Sequence, residues 1–502
     1  MDDVLLGLDI GTSRIKGVLA TPDGRVISKA SQDYPIDYPR PGWAEQNPLD
    51  WWSGVVQVVR ALRSQARVRV AGIGVSGQGC AVTLIGSDGH VIRPAIIWVD
   101  TRSEPQCERL RRCCDAEILA RNGKIPAPYN ADPVLMWLME NEPDSIGAAE
   151  TSLTTTAYIN FRLTGQKIAN LSDASILIAF DLEEKGWSDP LIESIGVPRR
   201  LYPALSPCDQ VIGSLSSQAA ADLGLEAGLP VVAGGEDTSS AGLASGAVRT
   251  GQTYLSLGTA GTLYVPVDRK TVHPQLLTFL HVLAGHYLLG GSMVALGASL
   301  AWCRKLLDPQ IDFEKLIELA AQSEPGAGRL LFLPYLSGEL QPINDGYARG
   351  MLFGLSLSTE KADLVRAILE GTAFAIAHNL SMIEALGIPI TEIRAVGNPT
   401  RSAEWCQIIA NISGRPLNVM ADEAGAPLGN ALLAAKGAGL IRDPAQAAQH
   451  AARIEHSYEP SPELVERYKG LFEIYRQLYP QVKEQYAQLS LLGSPGFRGM
   501  ES

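Results

Sequence analysis

The chain has little that would tie it to nucleic acid, a membrane or a resident transition metal. Its formal net charge is −12, from 42 Lys+Arg against 54 Asp+Glu, and no basic run reverses this locally. Such a surface repels nucleic acid, so an anionic ligand has to be held by backbone amides or one or two lysines. The seven cysteines, Cys80, Cys107, Cys113, Cys114, Cys208, Cys303 and Cys406, are scattered without metal-ligand spacing. They are expected as reduced thiols of a cytoplasmic protein. There is no Walker A loop, no Rossmann-type G-x-G-x-x-G opening a helix, and no His/Cys cluster. The opening Met-Asp-Asp lacks a basic n-region, so no signal peptide is expected. The uncharged stretch 287–303 is broken by Gly290, Gly291 and Gly297. It falls short of the ~20 apolar residues of a spanning helix and reads as strand, turn and buried helix.

What is present is a long α/β pattern. At 502 residues and 46% hydrophobic, the chain is too long for one ordinary core, and two domains of roughly 250 residues are expected. Residues 4–8 are a short apolar run, followed by Asp9-Ile10-Gly11-Thr12-Ser13, a second run at 15–20 and a third near Val26. This predicts strand, tight turn, strand, strand. Asn47-Pro48 opens a helix with Trp51, Val55, Val58, Val59 and Leu62 at helical spacing. Strands follow at 70–75 and 82–85. Mid-chain the opening is repeated: an apolar run at 253–257, Gly258-Thr259-Ala260-Gly261, and another run at 262–265. The similarity predicts an internal duplication whose second copy starts near Gly246. Helices are expected at 361–386, 403–412 and, rich in small residues, 425–439, with a strand at 393–396. Residues 493–502 are expected as a frayed tail.

Four motifs can carry chemistry. In the first, the turn at Gly11, Thr12 and Ser13 points successive N–H groups into one concavity, with Lys16 adding positive charge. Asp9 is out of place beside an anion unless a cation such as magnesium lies between them; otherwise it bonds its own turn. In the second, "VVAGGEDTSSAG" is a buried strand, a double glycine, an acidic pair and a helix start. Asp237 there could take a proton from a hydroxyl, or could cap the helix, and Glu236 is the rival base. The third is Gly258-Thr259-Ala260-Gly261, a second amide turn. The fourth is Gly397-Asn398-Pro399-Thr400-Arg401-Ser402, a strand end running into a helix start that could hold a nucleotide's adenosine side.

Taken in this order, the segments "GLDIGTSRIKGVL", "GWAEQNPLDWW", "GIGVSGQG", "PAIIWVDTRS", "GGEDTSSAG", "LSLGTAGTLYV", "FLPYLSGE" and "RGMLFGLSLSTEKADLVRAILEG" resemble the FGGY carbohydrate kinases of the actin-like ATPase superfamily. The resemblance is closest to the xylulose-phosphorylating members. It implies a two-domain α/β actin-like (ribonuclease H-like) fold, each domain a mixed sheet flanked by helices, with ATP between them. Residues 1–246 would hold the sugar site and first phosphate loop. Residues 247–502 would hold the second phosphate loop and adenosine site. The match implies Asp237 as general base, and Asp9 with Asp237 at Mg2+. It places Gly11, Thr12, Ser13 and Lys16 in the first phosphate loop, Gly258 and Thr259 in the second, and Gly297 at the nucleotide. Gly397, Asn398 and Ser402 match the adenosine loop. Two positions depart from the family. Gly397-Asn398-Pro399 replaces a run of glycines, with Asn398 expected to tolerate a left-handed backbone. Val134 stands where a lysine is usual.

For the acceptor, the resemblance points to Gln78, Gly79, Cys80, Trp98, Asp100 and Asp237, with Arg102 beside them. Gly79 and Cys80 replace Met-His of the xylulose-phosphorylating members and Arg-Glu of the glycerol-phosphorylating ones. The pocket therefore gains volume, and a ketopentose, xylulose first, is expected over glycerol. The alternatives are ribulose, L-xylulose, a pentitol, erythritol or glycerol and, more remotely, an actin-like ATPase without sugar kinase activity. The expected partners are a small-molecule sugar and, as an assembly to test, a homodimer.

Overall fold

A computed structural model describes residues 3–421 and 425–492; the tail expected at 493–502 lies outside the described residues. The chain forms two compact units, and their boundary does not follow one cut in the sequence. The first unit takes residues up to Val248 together with Pro266–Leu288 and residues 425–452; the second takes Arg249–Val265, Leu289 to residue 421, and the chain from Arg453. A linear division at 246/247 misses this interleaving, because partner choice over such distances is set by surface complementarity and not by local pattern.

The first unit is built on a seven-stranded sheet. Strands β1 (Asp3–Ile10) and β2 (Arg14–Ala20) form the opening hairpin, and β3 (Val26–Asp33) follows antiparallel to β2. Helix α1 (Pro48–Gln65) starts where Asn47 caps it, its side chain accepting from the Leu49 amide, and buries Trp51, Val55, Val58, Val59 and Leu62. Strand β4 (Arg69–Gly77) then pairs parallel to β1 on its other side. Beyond β4 lie β5 (Val211–Ser214) and β6 (Pro230–Val232), antiparallel to each other. Helix α2 (Glu104–Asn122) carries one departure from the expected thiols: Cys113 and Cys114 are joined as a disulfide, the chain itself setting their Cα atoms 3.8 Å apart. The other five cysteines are free and buried.

The second unit repeats this plan. Strands β7 (Gln252–Leu257) and β8 (Gly261–Val267) are an antiparallel hairpin, and β9 (Tyr287–Met293) lies beside β8. On the far side of β7, β10 (Glu392–Val396) and then β11 (Leu417–Met420) run parallel, and β12 (Ile454–Tyr458) closes antiparallel. A hairpin, a parallel neighbour and an antiparallel final pair thus recur in both units, which is the topology of the duplication read from the two Gly-Thr turns. The stretch 287–303 forms a strand and the start of a helix, as expected, but the helix is only partly buried, through Ser299, Leu300 and Cys303; among the described residues no helix is long and apolar enough to cross a membrane.

Candidate functional site

In the first unit the chemistry gathers at the ends of β1 and β4. Their parallel register sets Asp9 opposite Ser76, and Ser76 is in turn opposite Gly235 of the short strand Gly235–Glu236. Helix α3 (Asp237–Ala244) begins immediately afterwards, with Asp237 as its first residue. Gly234 has φ 74°, and a Cβ there would lie 1.9 Å from the Val75 carbonyl oxygen, so only glycine lets the chain turn this close to β4.

The acidic pair divides its duties. Glu236 is the N-cap, its carboxyl accepting from the Ser239 amide at 2.8 Å. Burial and the adjacent Asp237 charge hold it well above the usual carboxylate range. Asp237 therefore does not cap the helix. It is half-buried and accepts from the neighbouring Thr238 hydroxyl at 3.1 Å. Asp9 bonds outside its own turn, accepting from the Ser76 hydroxyl at 2.8 Å. Burial and then the Asp237 charge push it up to about 6, against the pull of Lys16 and Ser76. Sequence reasoning missed Asp173, buried on the short helix Leu171–Ala174 and pushed up to about 7 by desolvation, with the Asp237 charge contributing. No local pattern marks it.

Among the described residues no group of three or more His, Cys, Asp or Glu could hold a metal ion. Magnesium needs less from a protein, often one or two carboxylates beside water and phosphate oxygens. A buried carboxylate with a second one near enough to raise its pKa fits that requirement, because a divalent cation would relieve the repulsion.

A polar network runs from the first loop to the acceptor loop. Trp98 donates its indole N–H to the Thr12 hydroxyl at 2.9 Å, and Gln46 donates to the Thr12 carbonyl at 2.7 Å. Gln78 donates to the Gln46 side chain at 2.7 Å, leaving its own buried Oε1 without a partner. Gly79 borders Ile176, and Cys80 is buried with a left-handed φ of 60°. Ser13 and Lys16 are exposed beside Gly11. Asp100 corrects the expectation of an acceptor contact. It is 1% exposed, takes the Ala44 amide at 2.6 Å and closes a forked ion pair with Arg102, so its carboxylate is used up in the loop. Arg102 stacks 3.7 Å from the Trp43 ring centroid, which occupies it as well.

In the second unit the expected nucleotide residues converge. The Gly297 amide, at the start of helix α4 (Gly297–Leu307), donates to the Gly258 carbonyl at 2.9 Å, and the Ala298 amide to Thr259 at 3.1 Å. A Cβ on Gly297 would lie 2.5 Å from that Gly258 oxygen. Register places Ser256 opposite Val396, so the turns at Gly258 and Gly397 leave the same ends of adjacent parallel strands. Gly397 has φ 109° and abuts the Leu257 backbone. Asn398 needs no left-handed backbone, contrary to expectation, because Gly397 takes the whole reversal and Asn398 opens a 3-10 turn. Ser402 caps helix α5 (Ala403–Ser413), its hydroxyl oxygen accepting from the Trp405 amide at 3.1 Å.

Comparison with known proteins gives this arrangement a family. Residues 4–244 match the N-terminal domain, and 253–438 the C-terminal domain, of the FGGY family of carbohydrate kinases. The xylulose kinase of Escherichia coli (strain K12) is 31% identical over 484 residues, 95% of this chain and 99% of that protein. The gluconokinase of Bacillus subtilis (strain 168) is 26% identical over 504 residues, 98% of each. The crystal structure of xylulose kinase from Rhodospirillum rubrum superposes with a TM-score of 0.92 at 32% identity, covering 96% of this chain and all of that one. The α/β fold expected from the sequence, two sheet-containing domains of the actin-like ATPase kind, is the fold these two units have.

Proposed function

Since the chain belongs to the FGGY family of carbohydrate kinases and is a sugar kinase, we propose that it transfers the γ-phosphate of ATP to a primary hydroxyl of a ketopentose, with xylulose as the preferred acceptor. The observation carrying the chemistry is the division of labour at the start of α3. Glu236 is engaged in capping, so Asp237, half-buried beside it, is the carboxylate left to face a substrate.

In this reading the acceptor's hydroxyl attacks the γ-phosphorus while Asp237 takes its proton, and the bond from the γ-phosphorus to the β–γ bridging oxygen breaks to release ADP. Amides of the Gly11–Thr12–Ser13 turn and the Lys16 ammonium hold phosphate oxygens, with Gly258 and Thr259 as the second phosphate loop. The Gly397–Asn398 turn receives the adenosine side. Asp9, with Asp237, would hold Mg2+, whose charge offsets that of the phosphates. Gln78, with its unpartnered Oε1, and the Gly79–Cys80 turn face the acceptor, where a sugar hydroxyl would satisfy the orphaned oxygen.

The experiment is a comparison of kcat/KM for D-xylulose, D-ribulose, L-xylulose, pentitols, D-gluconate and glycerol, in the natural chain and in Asp237→Ala. D-Xylulose should lead and glycerol should trail. Asp237→Ala should lose ~10²–10⁴ in rate with ATP binding retained. Glycerol or gluconate as best substrate overturns the acceptor assignment, and near-normal turnover in Asp237→Ala overturns the base.

A further inference from the structure

Two parts of the first unit must keep a fixed spacing for the proposed chemistry: the first turn of α3, which carries Asp237, and the loop 171–178, whose Ile176 borders Gly79. They are not neighbours in sequence, although the helix Leu171–Ala174 packs against the strand Gly235–Glu236 that leads into α3. One short segment from much later in the chain bonds to both.

That segment is residues 277–282, in the stretch Pro266–Leu288 that packs into the first unit. The Val282 amide donates to the Ser239 hydroxyl oxygen at 2.9 Å. Ser239 lies in the first turn of α3, is fully buried, and its own amide is held by Glu236. The Val282 side chain fills the space over Gly235, where a Cβ would come within 2.2 Å of its Cγ1. Two residues earlier, Leu280 is clamped on both backbone groups. Its amide donates to the Ser175 hydroxyl oxygen at 2.9 Å, and its carbonyl accepts from the Ser172 hydroxyl at 3.0 Å. Ser172 and Ser175 flank Asp173, and both are fully buried. Thr278 supplies the next anchor. Its carbonyl accepts from the Lys124 ammonium at 2.9 Å, which also donates to the Ser175 carbonyl at 2.8 Å and the Asn122 carbonyl at 3.2 Å. Lys124 is 2% exposed, so these three carbonyls take the three donors it has.

We propose that residues 277–282 are a positioning strap, anchored at Ser239, at Ser172 with Ser175 and at Lys124, which sets the spacing between Asp237 and the loop bordering the acceptor turn. The assignment rests on the reading of Asp237 as proton acceptor and of Gly79–Cys80 as the acceptor turn. The strap touches neither substrate. It acts by holding others, and small misplacements of reacting groups cost large factors in rate.

The test uses the full chain, with Ser239→Ala, Ser172→Ala and their double variant, each checked for a cooperative melt. Steady-state constants are measured for D-xylulose, or whichever acceptor leads the panel, and for ATP. Each single variant should lower kcat/KM for the sugar about 5- to 50-fold while KM for ATP stays within about twofold. The double variant should lose less than the product of the singles, because both anchors hold one strand. Ser239→Thr, which keeps the hydroxyl oxygen, should recover most of the loss. Unchanged sugar constants, equal shifts in the sugar and ATP constants, or losses that multiply would each overturn the strap. Should Ser172→Ala not fold, the Ser239→Ala and Ser239→Thr pair decides alone. An active Asp237→Ala beside strap variants behaving as expected would relocate the proton acceptor and leave the strap standing.

Discussion

Glu339 shows how much of this protein's behaviour is set at single buried atoms. It is 3% exposed, and one carboxyl oxygen accepts from both the Val294 and Leu340 amides at 2.8 Å. The other oxygen is buried without a partner. Burial pushes the group up to about 8, against the pull of those two amides. An acid whose folded pKa is raised holds its proton when the unfolded chain has already released it. Between the ordinary value of 4.5 and about 8, the unfolded state thus binds fewer protons, and stability falls as pH rises, by up to ~1.4 kcal/mol per unit. Glu339→Gln keeps the accepting oxygen and removes the titration. Its melting temperature should exceed that of the natural chain most at pH 8, with the gap closing toward pH 5; a gap independent of pH would refute the protonated carboxyl. The pair Glu236–Asp237 carries the other residue-scale lesson. The motif was legible as an acidic pair at a helix start, but which member caps depends on a backbone geometry that two adjacent acids do not encode. Asp100 was misread for a similar reason, since its partner Arg102 lies two residues away and looks equally free in sequence.

At the scale of elements, the closest packing in the first unit is helix α6 (Ala426–Gly437), which lies directly on the sheet. Its backbone comes so near that a Cβ on Gly74 would lie 2.2 Å from the Asn430 carbonyl oxygen, and one on Gly7 would lie 1.8 Å from that of Pro427. Asn430 then donates to the Leu8 carbonyl at 2.8 Å and accepts from Ser240 at 3.1 Å, tying β1 to α3. Gly74→Ala forces backbone against backbone, where nothing flexible can yield. It should cost ~1–3 kcal/mol or more, or ~2–10 °C in melting temperature. Gly147→Ala is the control, with open space around its position in the helix Pro143–Ala148, and should melt at or slightly above the natural temperature. An equal loss in both would show that the close approach is not what Gly74 serves. The two hairpins, α1 and the long helix Lys361–Ala385 were legible because apolar period and turn residues agree locally. Small residues at 425–439 announced close packing, but nothing in the pattern said the sheet of the first unit would receive it, nor that residues 277–282 would brace α3.

On the scale of the whole molecule, the formal net charge of −12 sets the protein against the nucleotide a kinase must bind. ATP arrives as a polyanion, so the long-range field opposes encounter, and on the proposed reading attraction begins only where loop amides and Lys16 act at short range. Salt separates these two contributions. Raising ionic strength from ~10 to ~150 mM shortens the Debye length from roughly 30 to 8 Å, which removes the distant repulsion and leaves contact-range bonding largely in place. With free magnesium held saturating, kcat/KM for ATP should therefore stay level or rise across that range. The same constant for the uncharged sugar should not change, and serves as internal reference. A protein that steers nucleotide by a basic surface would show the reverse, a steep fall. Such a fall here, absent for the sugar, would mean that the field at the nucleotide turns is locally positive despite the overall charge, and would make Lys16→Met the variant that abolishes the salt dependence.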